Sequence, residues 1–211
     1  MKEVKVAGYV KNSFVDWRAR ISFVLFLGGC NFRCPHCHNH NIWGSMSNKL
    51  PYMWGRKDAP AVRDLIKEQV GFIDGVVISG GEPTIHPHIF DIIKDIRAMG
   101  LDVKLDTNGS NYGVLNLLVE EGLVNAVAMD IKAPLDKYVE YGFIPRGAKA
   151  DATLENVRRS VEYLKEKAAS DAIGVYFRTT PVPCLTPADL AAVRALAGDV
   201  PYSVNDFIPV K

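Results

Sequence analysis

Short apolar segments alternate along this chain with longer stretches whose apolar residues recur every three or four positions. The short segments are 22-SFVLFL-27, 75-GVVIS-79, 102-DVKL-105, 126-AVAM-129, 174-GVYFRT-179 and 203-SVNDFI-208, and each reads as a strand. The longer ones, 60-PAVRDLIKEQVGFI-73, 89-IFDIIKDIRAM-99, 113-GVLNLLVEEG-122, 153-TLENVRRSVEYLKEKA-168 and 187-PADLAAVRALAG-198, read as amphipathic helices. In the fourth of these Leu154, Val157, Val161 and Leu164 share one face, while Arg158, Arg159, Glu162 and Lys165 fall elsewhere. Thr153 suits its N-cap and Glu155 its first turn, and Pro60 and Pro187 suit the first turns of their own helices. Ahead of the first strand, 4-VKVAGYVKNSFVDW-17 alternates loosely and predicts a hairpin.

Six β and five α segments in alternation imply parallel strands joined by right-handed crossovers. The expected fold is α/β: one domain over residues 1–211, a partial (β/α)6 barrel with a short N-terminal extension. Six strands rather than eight would leave it open on one side.

Charge and composition narrow the function. Lys and Arg number 25 against 24 Asp and Glu, a formal charge of +1, so no broad electrostatic footprint for nucleic acid or an acidic membrane exists. The opening MKEVKVAGYV lacks a long apolar run and a cleavage site, and no apolar run approaches the roughly 20 residues that span a bilayer. A cytoplasmic location is expected. There, clustered cysteines serve as metal ligands or catalytic groups more often than as disulfides.

The unusual polar motifs all follow strands: 28-GGCNFRCPHCHNH-40 the first, 80-GGEP-83 the second, 106-DTNGS-110 the third, 130-DIK-132 the fourth and 180-TPVPC-184 the fifth. In a parallel barrel these carboxyl ends converge on one mouth, where catalytic loops are built. Cys30, Cys34 and Cys37 can wrap one inorganic cluster; a [4Fe-4S] cube normally takes four thiolates, so three leave one iron open. The spacing also leaves open a zinc shell completed by His38 or His40. Gly80 and Gly81 remove side chains where a ligand could reach backbone amides, with the Glu82 carboxylate beside them for an ammonium group. Asp106, Thr107 and Asn108 add donors and acceptors, and Asp130 and Lys132 share a strand face. Together these groups suit a small ligand with an amine, a carboxylate and ribose hydroxyls, a description that S-adenosylmethionine fits.

With 21-ISFVLFLGGCNFRCPHCHN-39, 79-SGGEP-83, 105-LDTNG-109 and 129-MDIKAP-134 in this order, the chain resembles the radical S-adenosylmethionine enzymes. Within them it is most similar to the glycyl-radical activating enzymes, in particular those of anaerobic ribonucleoside-triphosphate reductase. The resemblance implies one [4Fe-4S] cluster on Cys30, Cys34 and Cys37. That cluster would reductively cleave S-adenosylmethionine to a 5′-deoxyadenosyl radical, which takes hydrogen from a glycine of a partner enzyme. It also implies a flavodoxin- or ferredoxin-type electron donor, His36 beside the adenine, and Gly80, Gly81 and Glu82 at the methionine amine with Asp106 and Thr107. Asp130 and Lys132 would meet ribose or carboxylate, and Arg178 the ligand from the fifth strand. Two other readings are a small-molecule radical enzyme similar to the 7-carboxy-7-deazaguanine synthases and a zinc-stabilised binding module without chemistry.

His86 and His88 straddle Pro87 ahead of a helix and read as turn residues. Cys184 reads as a packing residue. Residues 38–59 show no helical or strand pattern and crowd Trp43, Met46, Tyr52, Met53 and Trp54; such a loop is expected to shield the cluster and contribute to docking the partner, with Tyr52 and Trp54 as the residues to test, the alternative being plain packing over the barrel's end.

Overall fold

The computed structural model describes residues 5–43, 52–54 and 61–209. In chain order the elements are β1 (Lys5–Ser13), β2 (Ser22–Leu27), β3 (Tyr52–Met53), α1 (Val62–Glu68), β4 (Gly75–Gly80), α2 (Ile89–Ala98), β5 (Asp102–Thr107), α3 (Tyr112–Glu120), β6 (Ala126–Asp130), α4 (Ala150–Ala169), β7 (Gly174–Thr179), α5 (Pro187–Ala197) and β8 (Tyr202–Val204). One sheet holds all the strands in the order β3-β1-β2-β4-β5-β6-β7-β8. From β2 to β8 every pairing is parallel and between successive strands of the βα repeat. Among the described residues the sheet does not close: β3 and β8 are its two ends.

Residue parity sorts the sheet into two unlike faces, because side chains alternate along a strand. One row across the sheet runs Leu25, Ile78, Leu105, Val127 and Val175. It belongs to the main core, together with Ile66 of α1, Ile92 of α2, Leu115 of α3, Val157 of α4 and Val193 of α5, all five helices lying on this side. The row behind it runs Val24, Val77, Lys104, Ala126 and Gly174. On that helix-free face a small cluster of Trp17, Val24, Val77 and Ala126 fills the amino-terminal end. Trp17 is 4% exposed, and a Cβ on Gly75 would come within 2.7 Å of its ring. Toward the carboxyl ends the same face turns polar, with Ser79, Asp106, Asp130 and Arg178.

Several local expectations need correction. The N-terminal segment is one strand that pairs antiparallel with β2, so the hairpin joins β1 to β2. The loop expected to lack structure contains β3, paired with β1, and a short 3-10 turn at His40–Ile42. The helix expected from 153 begins at Ala150; Thr153 sits inside it, its hydroxyl donating to the Lys149 carbonyl at 2.8 Å, so it caps nothing. The last strand ends at Val204. Pro187 does start α5, and Thr186 and Asp189 form a capping box there, the Asp taking the place usually held by Glu or Gln. Pro60 lies outside the described residues. No helix among the described residues is long and apolar enough to cross a membrane.

Trp54 is fully buried and donates its indole N–H to Asp95 Oδ2 at 3.1 Å, so its assignment as a docking side chain is corrected: it belongs to the core. The side chain of Tyr52 lies outside the described residues. His86 and His88 are turn residues, His86 Nδ1 accepting the His88 amide at 3.3 Å. Burial, helped by the neighbouring His88, pushes the His86 ring down to about 4.

Replacing Trp17 with Ala should cost about 3 kcal/mol and lower the denaturant midpoint at an unchanged slope; an unmoved midpoint would mean the helix-free end is not packed as described. The depressed His86 pKa makes a signed prediction as well. Below about 6.5 the unfolded chain takes up a proton that folded His86 refuses until about 4. Stability is therefore full above that window and falls as pH drops through it. Unfolding midpoints of His86→Gln should lose this part of the pH dependence.

Candidate active site

The cysteine loop leaves β2 through Gly29, whose φ of +87° favours glycine. Residues 42 and 43 hold it from behind: Gly29 N–H donates to the Ile42 carbonyl at 2.8 Å and Cys30 N–H to that of Trp43 at 3.1 Å. Arg33 N–H donates to the Phe143 carbonyl at 2.9 Å, and the Arg33 guanidinium folds back onto the carbonyls of Cys30 and Phe32, both at 2.7 Å. Side chains tie the loop to two further strand ends. Asn39 Nδ2 donates to the Gly80 carbonyl at 2.7 Å, Asn31 Nδ2 to Ser110 Oγ at 2.8 Å, and Asn108 Nδ2 to Asn31 Oδ1 at 3.2 Å.

The end of β4 meets this loop backbone to backbone. A Cβ on Gly80 would fall 2.3 Å from the Leu27 carbonyl oxygen, and one on Gly81 only 1.9 Å from that of Gly29. Gly81 N–H already donates to Leu27 O at 2.9 Å and Glu82 N–H to Gly29 O at 2.8 Å. The two glycines thus admit the cysteine loop itself, with the Gly81 and Glu82 amides bonded to it, and both still line the cavity beside it.

Glu82 lies behind the glycines. It is 1% exposed, and its carboxylate accepts from Thr84 N–H at 3.0 Å, the Thr84 hydroxyl, the Thr107 hydroxyl at 2.7 Å and Asn108 N–H at 2.7 Å. Burial pushes its carboxyl up, against the pull of those donors. Three of these bonds fall on Oε1 and one on Oε2, so the carboxylate joins the β4 and β5 ends. The Thr107 hydroxyl is spent in the same bonds.

Three thiols and the charged groups come together. Cys30, Cys34 and Cys37 line one cavity with Gly80, Gly81, Asp106, Thr107, Asn108, Asp130, Lys132 and Arg178. The charges alternate in a chain. Lys104 contacts Asp106 Oδ1; Arg178 Nη1 lies 3.1 Å from Asp106 Oδ2; Arg178 Nε donates to Asp130 Oδ1 at 2.9 Å; and Lys132 Nζ donates to Asp130 Oδ2 at 2.9 Å. Burial alone would push the Asp130 carboxyl up, yet Arg178 and Lys132 outweigh it and hold it well below the usual carboxylate range. Likewise burial disfavours the Lys132 ammonium, and Asp130 and the Cys34 sulfur more than restore it. Tyr138, missed by sequence reasoning, fixes this strand end by receiving the Lys132 amide on its hydroxyl at 2.9 Å.

His36 does not line the cavity. Its ring meets Phe207 edge-on at 5.3 Å, and His38 Nε2 lies 2.8 Å from the Ile208 carbonyl, so the segment after β8 crosses the cysteine loop. Among the described residues no three His, Cys, Asp or Glu side chains converge as a shell for a single metal ion. Cys184 packs against the helix-side core and does not line that cavity.

The donor set fits a [4Fe-4S] cluster with one iron left free by the protein. Three thiols share one cavity, Phe32 N–H points at Cys30 Sγ at 3.4 Å, and Asn108 Nδ2 lies 4.0 Å from the same sulfur. Such donors stabilise thiolate charge shared with iron. Burial pushes the Cys30 thiol up to about 12 and raises Cys34 as well, so iron uptake must displace protons there. Gly81→Ala should separate the β4 end from the cysteine loop; the variant should fold with its far-ultraviolet dichroism intact and take up less than half the iron of the parent on anaerobic reconstitution. Full iron loading of this variant would show that the close approach is dispensable.

Comparison with known proteins agrees with this site. The model of the radical SAM superfamily matches residues 24–197. An inferred glycyl-radical enzyme activating enzyme of Methanocaldococcus jannaschii is 30% identical over 208 residues, covering 97% of this chain and 80% of its own. The pyruvate formate-lyase 1-activating enzyme of Escherichia coli K12 is 30% identical over 128 residues, covering 56% of this chain and 48% of its own, so the likeness spans about half of that relative. The crystal structure of Streptococcus suis SuiB bound to S-adenosylmethionine shares the fold, with a TM-score of 0.54 at 14% identity, over 87% of this chain and 38% of that one. A [4Fe-4S] cluster and S-adenosylmethionine are the cofactors of this superfamily of enzymes, and the chain belongs to it.

Proposed function

We propose that this enzyme installs a glycyl radical on a partner protein, and that the partner is anaerobic ribonucleoside-triphosphate reductase. The carrying observation is the cavity in which three thiols, two carboxylates, an ammonium and a guanidinium meet. When bound, the cluster and S-adenosylmethionine supply a 5′-deoxyadenosyl radical. Cys30, Cys34 and Cys37 hold the cluster. Asp106 and Asp130, each already paired with two cations, offer their remaining lone pairs to the ligand's ammonium and ribose, and Lys132 and Arg178 present positive charge to its carboxylate, while Glu82 keeps the loops that carry these groups in place. Gly80, Gly81, Thr107 and Asn108 contribute walls rather than side-chain charge.

The relative that aligns over nearly the whole chain bears the activating-enzyme name, which supports a protein substrate. So does the unclosed sheet. On the helix-free face a second cavity of about 530 Å³, lined by Trp17, Lys104, Tyr176 and Arg178, lies beside the first and shares Arg178 with it. A flavodoxin- or ferredoxin-type protein in the cytoplasm would deliver the electron.

Anaerobic reconstitution with iron and sulfide, followed by reductant and S-adenosylmethionine, should yield methionine and 5′-deoxyadenosine. Adding the reductase should give a glycyl-radical doublet in electron paramagnetic resonance. Zinc binding without iron uptake or cleavage would sink the radical reading. Cleavage without a doublet on the reductase, together with a doublet on pyruvate formate-lyase, would reassign the partner.

A further inference from the structure

Lys104 is out of character for its place. In the row Val24, Val77, Lys104, Ala126 and Gly174 it is the one charged residue, in the middle of a parallel sheet and 3% exposed. A lone buried ammonium is strongly unfavourable, so the position requires a partner. Strand parity supplies one: Asp106, two residues on, shares the face, and the Lys104 ammonium contacts its Oδ1. Asp106 is itself 8% exposed and spends its other oxygen on Arg178, which spends its Nε on Asp130, which holds Lys132. The chain of charges runs plus, minus, plus, minus, plus from the floor of the second cavity to the thiol cavity.

We propose that Lys104 is a positioning residue for cofactor binding, acting through Asp106 and Arg178 to hold Asp130 and Lys132 at the cavity. Arg178 is shared between two carboxylates, and it can be shared only while something else neutralises Asp106. Without Lys104, buried Asp106 has Arg178 alone, and removing one member of a buried pair leaves a charge that its neighbours must screen. The guanidinium then turns toward Asp106 and its bond to Asp130 weakens. Asp130 draws on Lys132 instead, pulling the ammonium away from the ligand. Lys104 lines the second cavity and Asp106 the first, so the effect passes through the wall between them without Lys104 touching the ligand.

This rests on the reading that Asp130 and Lys132 contact S-adenosylmethionine. The test uses reconstituted protein, with S-adenosylmethionine binding measured by anaerobic equilibrium dialysis and iron content measured alongside. Lys132→Met tests the reading itself, and unchanged affinity there would overturn the contact irrespective of Lys104. Lys104→Met should weaken binding roughly tenfold at unchanged iron content, within the usual range for coupled neighbours. Lys104→Arg, which keeps the charge, should recover most of the loss. The double variant Lys104→Met with Asp106→Asn should bind no more weakly than Asp106→Asn alone, because the charge that Lys104 answers is gone. Should Lys104→Met fail to fold, the double variant, free of the unpaired carboxylate, should fold and bind as Asp106→Asn does. Wild-type affinity in a folded Lys104→Met, equal losses in the Arg and Met variants, or additive losses in the double variant would each overturn the proposal.

Discussion

The carboxylate of Glu82, sealed from solvent, is the joint on which the mouth of this fold depends. It accepts bonds from its own turn through Thr84 and from the next strand end through Thr107 and Asn108. Its backbone amide, meanwhile, reaches across to Gly29 ahead of the first cysteine. Three chain segments far apart in sequence are thereby set against one another by one residue. A buried carboxylate that lost these donors would carry a large desolvation cost, so the arrangement forms as a unit or not at all. Glycine at 80 and 81 is the steric half of the same joint, since no side chain fits between the end of β4 and the cysteine loop.

Much of this was legible in the sequence. The parallel strands and the five helices follow from the switch between short apolar runs and three-to-four spacing, because burial of a sheet face and of a helix stripe imposes those periods directly. Asp106, Asp130, Lys132 and the three cysteines were found for a similar reason: strand ends converge, so polar residues placed there meet. What the sequence concealed is the division of labour among the polar groups. Glu82 and Thr107 look, in one dimension, like ligand-binding groups, yet both are spent on protein donors and acceptors. Lys104 looks like an exposed strand residue, and only the register that sets it between Val77 and Ala126 reveals its burial. Trp54 and Tyr138 were equally unreadable, because whether an aromatic side chain caps a surface or fills a core depends on contacts distant in sequence.

The sheet's two faces divide stability from chemistry. The helix side is an apolar core in which charge has no place, and it holds the strands at fixed register. The other face needs no helices over it, because Trp17 closes one end and a lattice of alternating charge occupies the other. Within that lattice each carboxylate lies between two cations, and Lys132, at its end, is the cation that acts on Cys30 and Cys34. Three cations face two carboxylates, so the lattice carries one surplus positive charge beside the thiols.

Among the described residues the sheet has an open flank that a second copy of the same chain could also use. The length of β8 bears on this. At three residues, Tyr202 to Val204, it offers an incoming strand very few unpaired backbone groups before the chain departs toward the cysteine loop. Templated strand addition gains with every residue that pairs, so so short an edge gives a copy little to build on. Among the described residues the β8 flank thus sets an entrance beside a strand too short to be a strong template.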